Sequence, residues 1–494
     1  MPRTILCLSR SYLSRLLPEI SARDKGACYL HIVQNNKEAD YIASLGGEVV
    51  LNIQSVVRDA LRRADGPKWQ EPADFRRLTG FDWSPIHADR YLPQFAPALR
   101  LRIAGALFEA LSRLFETRRI DAFLSEPVAL FITHAAFYLC RRHGVRPLLW
   151  ANSYFPNHFY FADAIDITSP VRQHPLTGDD VQQLRAKVAT FVHGVIEDRA
   201  GPAYHHSFLS RQLSRFSYFK QRRGEEPLVL RPGLGSRLTQ IARFARAVAA
   251  RAVFPWASDF MTAGSVAEHR YYLRALSTGP AIFDPLPGDY SATNVVFPLQ
   301  YEPEASLLYF APDFSNQHAF VETVLRALPD GHLLWVKEHP NQFGALGEAK
   351  WRALKQRYGA LRFIHGRQSG RVLIRRSGLV VSISSSAGMD ALLLGRRVLV
   401  AGQVFYRQFT GAVPVSSAAE IAQHLNDPAN YGVVNNAAAN IAELSAFGLH
   451  CYPGDPQPAH DLYSEANLDR LVAAVRQASE AVRAHGSKEV SHAI

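Results

Sequence analysis

Three polar segments in the C-terminal half follow candidate strands, and their residue types are suited to binding an anionic substrate. The first runs from Gln300 to Ser306 and carries Glu302 and Glu304 on either side of Pro303, which stiffens the backbone between them. An amide, two carboxylates and a hydroxyl on one loop are typical of a functional site. Equally, the two carboxylates could complement the positive N-terminal dipole of a following helix.

The second segment ends an apolar strand with Lys337, Glu338 and His339, and Pro340 prevents the strand from continuing. Lys337 supplies positive charge, and His339 can bond a phosphate or shuttle a proton near neutral pH. A single histidine at a strand end is more often structural, so the sequence leaves both roles open.

The third segment leads a strand into a helix through Ser384, Ser385 and Ser386, followed by Gly388 and Asp390. Free backbone N–H groups and the helix dipole make such a junction an anion site, and Asp390 could accept a ribose hydroxyl. The alternative is an ordinary helix N-cap with a spare serine.

Several widespread catalytic signatures do not occur in this sequence. It contains no Gly-Lys dipeptide, and therefore no Walker A loop, and it contains no GxGxxG, HExxH or GxSxG motif. It also contains no Asp-x-Asp pair. Sugar transferases that hold a nucleotide diphosphate through a divalent metal usually need such a pair, so we expect no metal and no bound cofactor.

In their order and spacing the three segments resemble the bacterial capsule and surface-polysaccharide biosynthesis proteins, which include the capsular β-Kdo transferases. The resemblance covers roughly Asn294–Thr410, including the stretch Ala391–Tyr406. It implies a GT-B-like α/β fold in which two Rossmann-like doubly wound domains face a crevice. The second domain would hold a nucleotide-sugar donor, and the first would hold a glycan or glycolipid acceptor.

The resemblance also implies roles for individual residues. Glu304 would be the carboxylate closest to the reacting anomeric carbon, with Glu302 as its competitor, and His339 would act at the donor phosphate. The implied donor-binding residues are Gln300, Glu302, Lys337, Ser384, Ser385, Ser386, Gly388 and Asp390. Capsular Kdo transferases commonly carry Asp in place of Glu304, and the family usually has Glu in place of Asp390. The resemblance favours a CMP-sugar over a UDP-sugar, with CMP-Kdo as the leading candidate, and leaves the sugar open.

The predicted elements divide the chain into two alternating strand–helix regions, which is typical of parallel, doubly wound sheets. We expect an acceptor domain at 1–169, a helical insertion at 170–290, a nucleotide-sugar-binding domain at 291–462, and a C-terminal helix and tail at 463–494. In the first region, loops after predicted strands carry Arg10, Glu126 and Asn152. Arg10 and Asn152 are candidates for the acceptor cleft. Glu126 could be a general base or only a dipole partner for the following helix.

The charge of the chain indicates anionic partners. Lys and Arg number 55 against 44 Asp and Glu, for a net charge of +11. No zinc-finger spacing, RNP-like motif or basic tail occurs, so we expect no nucleic acid partner. The segment Arg237–Trp256 forms a basic amphipathic helix that could lie on anionic membrane, although such a helix more often packs on its own domain.

Four scattered cysteines and the lack of a secretory signal predict a cytoplasmic protein, and peripheral attachment to the inner face of the cytoplasmic membrane stays open. The sequence therefore predicts a metal-independent glycosyltransferase that adds a sugar to a growing surface glycan. Two alternatives stay open: a nucleotide-sugar epimerase on the same fold, and a non-catalytic subunit of a polysaccharide assembly complex.

Overall fold

The computed structural model describes residues 2–485 except 64, 169, 172–177, 202–233, 254–279, 341, 343, 435–436 and 457–461. Contacts divide the chain into two compact units. Unit 1 comprises Met1–Thr177, Ala250–Gly264 and Gly448–Ile494, and unit 2 comprises Gly178–Ala249 and Ser265–Phe447. The predicted second domain extended to residue 462, whereas the chain returns to unit 1 at Gly448.

The strands form two sheets. In chain order they are β1 (Arg3–Ser9), β2 (Ala27–Val33), β3 (Glu48–Asn52), β4 (Ala122–Ser125), β5 (Arg146–Asn152), β6 (His158–Ala162), β7 (Ser291–Pro298), β8 (Leu333–Lys337), β9 (Leu361–Ile364), β10 (Ser377–Ser382), β11 (Arg397–Val400), β12 (Ala412–Pro414) and β13 (Tyr452–Pro453). The sheet of unit 1 has the order β13-β6-β5-β4-β1-β2-β3, and that of unit 2 the order β12-β11-β10-β7-β8-β9.

The helices connect these strands. In chain order they are α1 (Leu13–Arg23), α2 (Asn36–Ser44), α3 (Ile53–Arg62), α4 (Phe75–Thr79), α5 (Pro97–Thr117), α6 (Phe131–His143), α7 (Asp179–Ile196), α8 (Leu234–Val253), α9 (Ala305–Leu308), α10 (Gln317–Ala327), α11 (Ala349–Arg357), α12 (Gly370–Arg375), α13 (Ser386–Leu393), α14 (Ala418–Leu425), α15 (Ala437–Gly448) and α16 (Glu465–His485). Local signals set their ends: the Asn35 side chain accepts from the Glu38 N–H at the start of α2, and α6 stops at Gly144, where φ is +67°.

All described strands of the unit 2 sheet run parallel. Among the described strands of unit 1, β6 pairs antiparallel with both β5 and β13, and the other pairs are parallel. Strand order reverses between β1 and β4 in unit 1 and between β7 and β10 in unit 2. The α/β class and the two doubly wound, parallel-rich sheets predicted from the sequence are confirmed. In such sheets, ligands bind at the carboxyl ends of the strands beside the reversal point.

Helix α1 was not anticipated, because Pro18 interrupts the local pattern. Its residues Leu13, Leu16, Leu17 and Ile20 are nevertheless completely buried and recur with helical spacing. Helix α16 packs against α1 and so closes unit 1 with the end of the chain.

Candidate functional site

A cavity of about 400 Å³ lies at the carboxyl ends of four neighbouring strands of unit 2. Its walls include Pro298 and Leu299 after β7, residues 337–340 after β8, residues 366–371 after β9, and residues 385–387 after β10. The cavity therefore lies where strand order reverses. Of the sequence-predicted donor residues, it is lined by Lys337, His339, Ser385, Ser386 and Asp390.

Gln300 ties the loop after β7 to the loop after β10. Its Nε2 donates to Ser384 Oγ at 2.7 Å and to Ser306 Oγ at 3.2 Å, while the Ser384 N–H donates to Gln300 Oε1 at 3.1 Å. The Ser384 hydroxyl in turn donates to the Ser306 carbonyl at 2.6 Å. Gln300 and Ser384 are thus placed behind the cavity wall, where they hold two loops together.

Glu304 is the next member of this network. It precedes α9, and its carboxylate accepts a hydrogen bond from Ser306 Oγ at 2.9 Å. Because Ser306 accepts from Gln300 and donates to Glu304, the hydrogen bonds run in one direction from the buried amide to a partly exposed carboxylate. The loop therefore fixes the orientation of Glu304 without burying it.

Glu302 is held in a different way on the same loop. Gln317 Nε2 donates to its carboxylate at 2.7 Å, and the Gln342 side chain exchanges hydrogen bonds of 2.9 and 2.6 Å with the Glu302 backbone. Burial raises the pKa of Glu302 above its ordinary value. The structure therefore makes Glu302 a loop anchor, and neither Glu302 nor Glu304 is among the residues that line the cavity.

Two adjacent ionisable side chains end β8 inside the cavity wall. Lys337 Nζ donates to the Gly366 carbonyl at 2.8 Å, and burial lowers the pKa of this lysine to about 8. The Glu338 carboxylate accepts from the N–H groups of Gly344 at 2.7 Å and Leu346 at 3.3 Å, and burial raises its pKa to about 7. Burial therefore disfavours the charged form of both groups.

His339 lies at the cavity with its ring edge-on to Tyr301, the two centroids being 6.0 Å apart. A second histidine, His365, is buried nearby, and its Nδ1 accepts from the Arg367 N–H at 3.2 Å. Burial, together with the charges of Lys337 and Arg367, lowers the pKa of His365 to about 3. His365 is therefore neutral at physiological pH.

The serine turn before α13 is a helix N-cap that also lines the cavity. Ser385 Oγ accepts from the Ala387 N–H at 3.2 Å, which confirms the N-cap interpretation, while the anion-site interpretation stays a prediction. Gly388 has a packing role: a Cβ added there would lie 2.3 Å from the Tyr406 hydroxyl oxygen, and that hydroxyl donates to the Ser385 carbonyl. Glycine thus lets Tyr406 support the turn.

Asp390 is paired with an arginine that the sequence analysis missed. Arg371 Nε donates to Asp390 Oδ1 at 3.0 Å, and Arg371 Nη2 lies 3.0 Å from the same oxygen. Arg371 and Arg367 both line the cavity. The signal was the run Arg367-Gln368-Ser369-Gly370-Arg371 directly after a strand that neighbours β8.

The charged side chains of the cavity wall favour an anionic ligand. The wall contains three basic side chains, Lys337, Arg367 and Arg371, and two carboxylates, Glu338 and Asp390. The N-terminus of α13 adds the positive end of a helix dipole. The described residues include no group of three or more His, Cys, Asp or Glu side chains placed to hold a metal ion. The arrangement suits a phosphate held by cationic groups and backbone N–H groups.

The three predicted acceptor-domain residues lie at the carboxyl ends of neighbouring strands of unit 1. Arg10, Glu126 and Asn152 follow or end β1, β4 and β5, which are neighbours in the sheet. Arg10 Nη2 donates to Glu126 Oε2 at 2.7 Å, an ion pair that the sequence analysis did not anticipate. Burial, and then the charge of Glu126, raises the pKa of the adjacent Tyr12 well above its ordinary value.

Comparison with known proteins agrees with the sequence resemblance. Residues 284–434, all within unit 2, match the family model of capsule polysaccharide biosynthesis proteins. No curated protein matches the sequence. The matched segment contains the whole cavity wall described above.

Solved structures give weaker similarities. The β-Kdo 2,7 transferase KpsC of Thermosulfurimonas dismutans is 12% identical, over 74% of this chain and 88% of that chain, with a TM-score of 0.32. A glycosyltransferase from Rickettsia africae is 7% identical over 98% and 99%, with a TM-score of 0.29. The UDP-GlcNAc 2-epimerase of Methanocaldococcus jannaschii is 11% identical over 90% and 98%, with a TM-score of 0.26.

Proposed function

We propose that this protein is a metal-independent glycosyltransferase that moves a sugar from a nucleotide-sugar donor to a surface-polysaccharide or lipid-linked acceptor. The observation that carries the proposal is the cationic cavity beside the β7/β10 reversal point, within the segment that matches the family model of capsule polysaccharide biosynthesis proteins. Its side chains and helix terminus offer hydrogen-bond donors to phosphate without a metal ion.

In this proposal, Lys337, Arg371 and the serine turn bind the donor phosphate, and His339 lies beside it. His339 could also protonate the departing phosphate oxygen, since it lines the cavity. The sequence resemblance favours a CMP-activated sugar, with Kdo as the first to test and UDP-activated sugars as the alternative.

We assign the chemistry at the anomeric carbon to Glu304. Its carboxylate either attacks that carbon as the bond to the nucleotide phosphate oxygen breaks, or stabilises the positive charge that develops there. In the first case an acceptor hydroxyl then displaces Glu304 and loses its proton. In unit 1, Arg10 and Asn152 are the proposed acceptor-binding residues, and Glu126 is the proposed base, whose ion pair with Arg10 must open for that role.

Incubating the purified chain with a panel of CMP- and UDP-sugars, with and without EDTA, tests this proposal. We expect nucleotide release and glycan extension with at least one donor, unchanged by EDTA. Loss of activity on chelation, restored by a divalent ion, would refute metal independence. Isomerisation of the donor without any acceptor would identify an epimerase. Unimpaired glycan synthesis in cells carrying Glu304→Gln would favour a non-catalytic subunit.

We further propose that α8 attaches the protein to anionic membrane, which suits a lipid-linked acceptor. Leu238, Ile241 and Val248 have helical spacing and are 57, 51 and 41% exposed, and Arg246 is also exposed. The segment 234–253 contains arginines and no acidic residue. None of the described helices is long and apolar enough to cross a membrane, so attachment would be at the surface.

Sedimentation with vesicles tests this attachment. The chain should sediment with vesicles containing anionic lipid and much less with neutral ones. Ile241→Ser combined with Arg246→Glu should release it, whereas Arg185→Glu, which makes the same charge change on α7, should not. Equal recovery on both kinds of vesicle would leave α8 without a membrane role.

A further inference from the structure

Two arginines of α12 form hydrogen bonds with the end of α7 and with the turn that follows it, residues 197–200. Arg375 donates from Nη1 to Asp198 Oδ2 and from Nη2 to the Ile196 carbonyl, both at 2.5 Å. Arg371 Nη1 donates to the Ala200 carbonyl at 2.5 Å and lies 3.7 Å from Asp198 Oδ1. The Asp198 carboxylate therefore lies between two cations of one helix that would otherwise repel each other.

Arg371 connects this turn to the donor cavity. One side of its guanidinium contacts Asp390, the other contacts the turn, and the side chain lines the cavity wall. A guanidinium is planar with donors in fixed directions, so contacts on two sides fix the direction of its remaining donors. The orientation of Arg371 is thus set partly by residues outside the segment matched by the family.

Backbone hydrogen bonds and a close contact at Gly194 fix the conformation of this turn. The N–H groups of Arg199 and Ala200 donate to the Gly194 carbonyl at 2.7 and 2.9 Å, and a Cβ at Gly194 would lie only 2.7 Å from the Ala200 Cβ. Asp198 has a φ of +60°, a left-handed conformation that Asp and Asn tolerate better than most residues. Replacement of Asp198 by Asn should therefore preserve the turn.

We propose that Asp198 is a positioning residue for donor binding, acting by holding Arg371 in the orientation that meets the donor phosphate. The inference rests on the proposed function and extends it, because it makes the end of α7 part of the donor site. Asp198 itself is absent from the cavity wall.

The sign of the effect separates positioning from simple electrostatics. Removing a negative charge near a cationic site strengthens the attraction of an anion at a distance. If Asp198 acts only through its field, Asp198→Asn should bind nucleotide more tightly. If it positions Arg371, the same variant should bind more weakly despite the gain in positive charge.

Calorimetric titration of the full chain with CMP and with UMP provides the measurement. We expect Asp198→Asn to bind the preferred nucleotide about tenfold more weakly, because the two ion pairs of Asp198 with Arg371 and Arg375 are lost together. Asp180→Asn removes the same charge from the first turn of α7 and is the matched control, with affinity unchanged. Unchanged or tighter binding by Asp198→Asn would overturn the inference.

A double-mutant cycle tests whether the effect passes through Arg371. In an Arg371→Lys background, where the two-sided contact is already lost, Asp198→Asn should cause no further loss of affinity. A full additional tenfold loss in that background would mean that Asp198 acts independently and would also overturn the inference. If the wild-type chain bound neither nucleotide, the proposed function itself would fail, which is a distinguishable result.

Discussion

The two sheets place different chemistry at the same topological position. Beside the β1/β4 reversal, the charges are already paired, since Arg10 and Glu126 contact each other at 2.7 Å. Beside the β7/β10 reversal, Arg371 is also paired, but Lys337 bonds only carbonyl groups among its described hydrogen-bond partners, and the wall surrounds a cavity. Strand order determines where side chains collect, and the side chains determine whether the place can take an anion.

The largest expected effect separates the two carboxylates of the β7 loop. Glu304→Gln should slow nucleotide release from the donor by about 10² to 10³-fold with donor affinity nearly unchanged, because it removes charge at the reacting carbon and keeps the shape. Glu302→Gln should retain most of the rate. Single-turnover kinetics with calorimetry measures both, and a normal rate for Glu304→Gln together with an inactive Glu302→Gln would mean that the wrong carboxylate has been assigned.

Replacing an arginine by lysine at the carboxyl end of each sheet should weaken the binding of a different ligand in each case. Arg371→Lys should weaken nucleotide binding about 30-fold, since an ammonium cannot contact Asp390 and the Ala200 carbonyl together. Arg10→Lys should leave nucleotide affinity unaltered and raise the KM for acceptor. Titration with nucleotide and acceptor saturation curves measure these effects. Equal loss of nucleotide affinity in both variants would show that the carboxyl ends of the two sheets do not bind separate ligands.

The contacts that hold α16 on unit 1 should affect the stability of the protein without affecting nucleotide binding. Arg3 donates to Ser479 Oγ and the Arg476 carbonyl, both at 2.9 Å, and lies 3.5 Å from Asp24. Arg3→Met should lower unfolding free energy by about 2 kcal/mol, because it leaves buried acceptors without this donor.

The exposed pair between Arg23 and Glu465, which also links α1 to α16, offers the control. Arg23→Met should cost less than about 1 kcal/mol, as surface ion pairs do. Urea unfolding measures the free energy of unfolding of each variant, and a separate titration measures its affinity for nucleotide. A loss of nucleotide affinity in Arg3→Met would contradict the separation of the two units in function.

The smallest expected effect is a pH dependence of unit 2. Burial raises the pKa of Glu338 to about 7, so the folded state binds a proton more readily than the unfolded state between about pH 4.5 and 7. Stability should therefore fall as pH rises through that window, by a few degrees in Tm. In Glu338→Gln the fall should be reduced, and an identical Tm profile for variant and wild type would exclude Glu338 as its source.

Much of the fold was predictable because its signals are local. The bounds of β2, β3, β8, α7 and α14 agree with the sequence pattern, since apolar runs and periodicity act over a few residues. The elements that were missed depend on distant partners. Strand β13 has two residues and is stabilised by pairing with β6, and α1 contains a proline that tertiary packing tolerates.

Of the three polar runs of the candidate site, those after β8 and β10 line the cavity and the one after β7 does not. The sequence by itself determined where these runs lie, because residue type and strand ends are local properties. It could not decide the contacts among them. Arg371 and Ala200 are 171 positions apart, and Gln300 and Ser384 are 84 apart. Only the tertiary structure decided that Gln317 bonds the Glu302 carboxylate while Ser306 bonds that of Glu304, because hydrogen-bond partners depend on which segments meet.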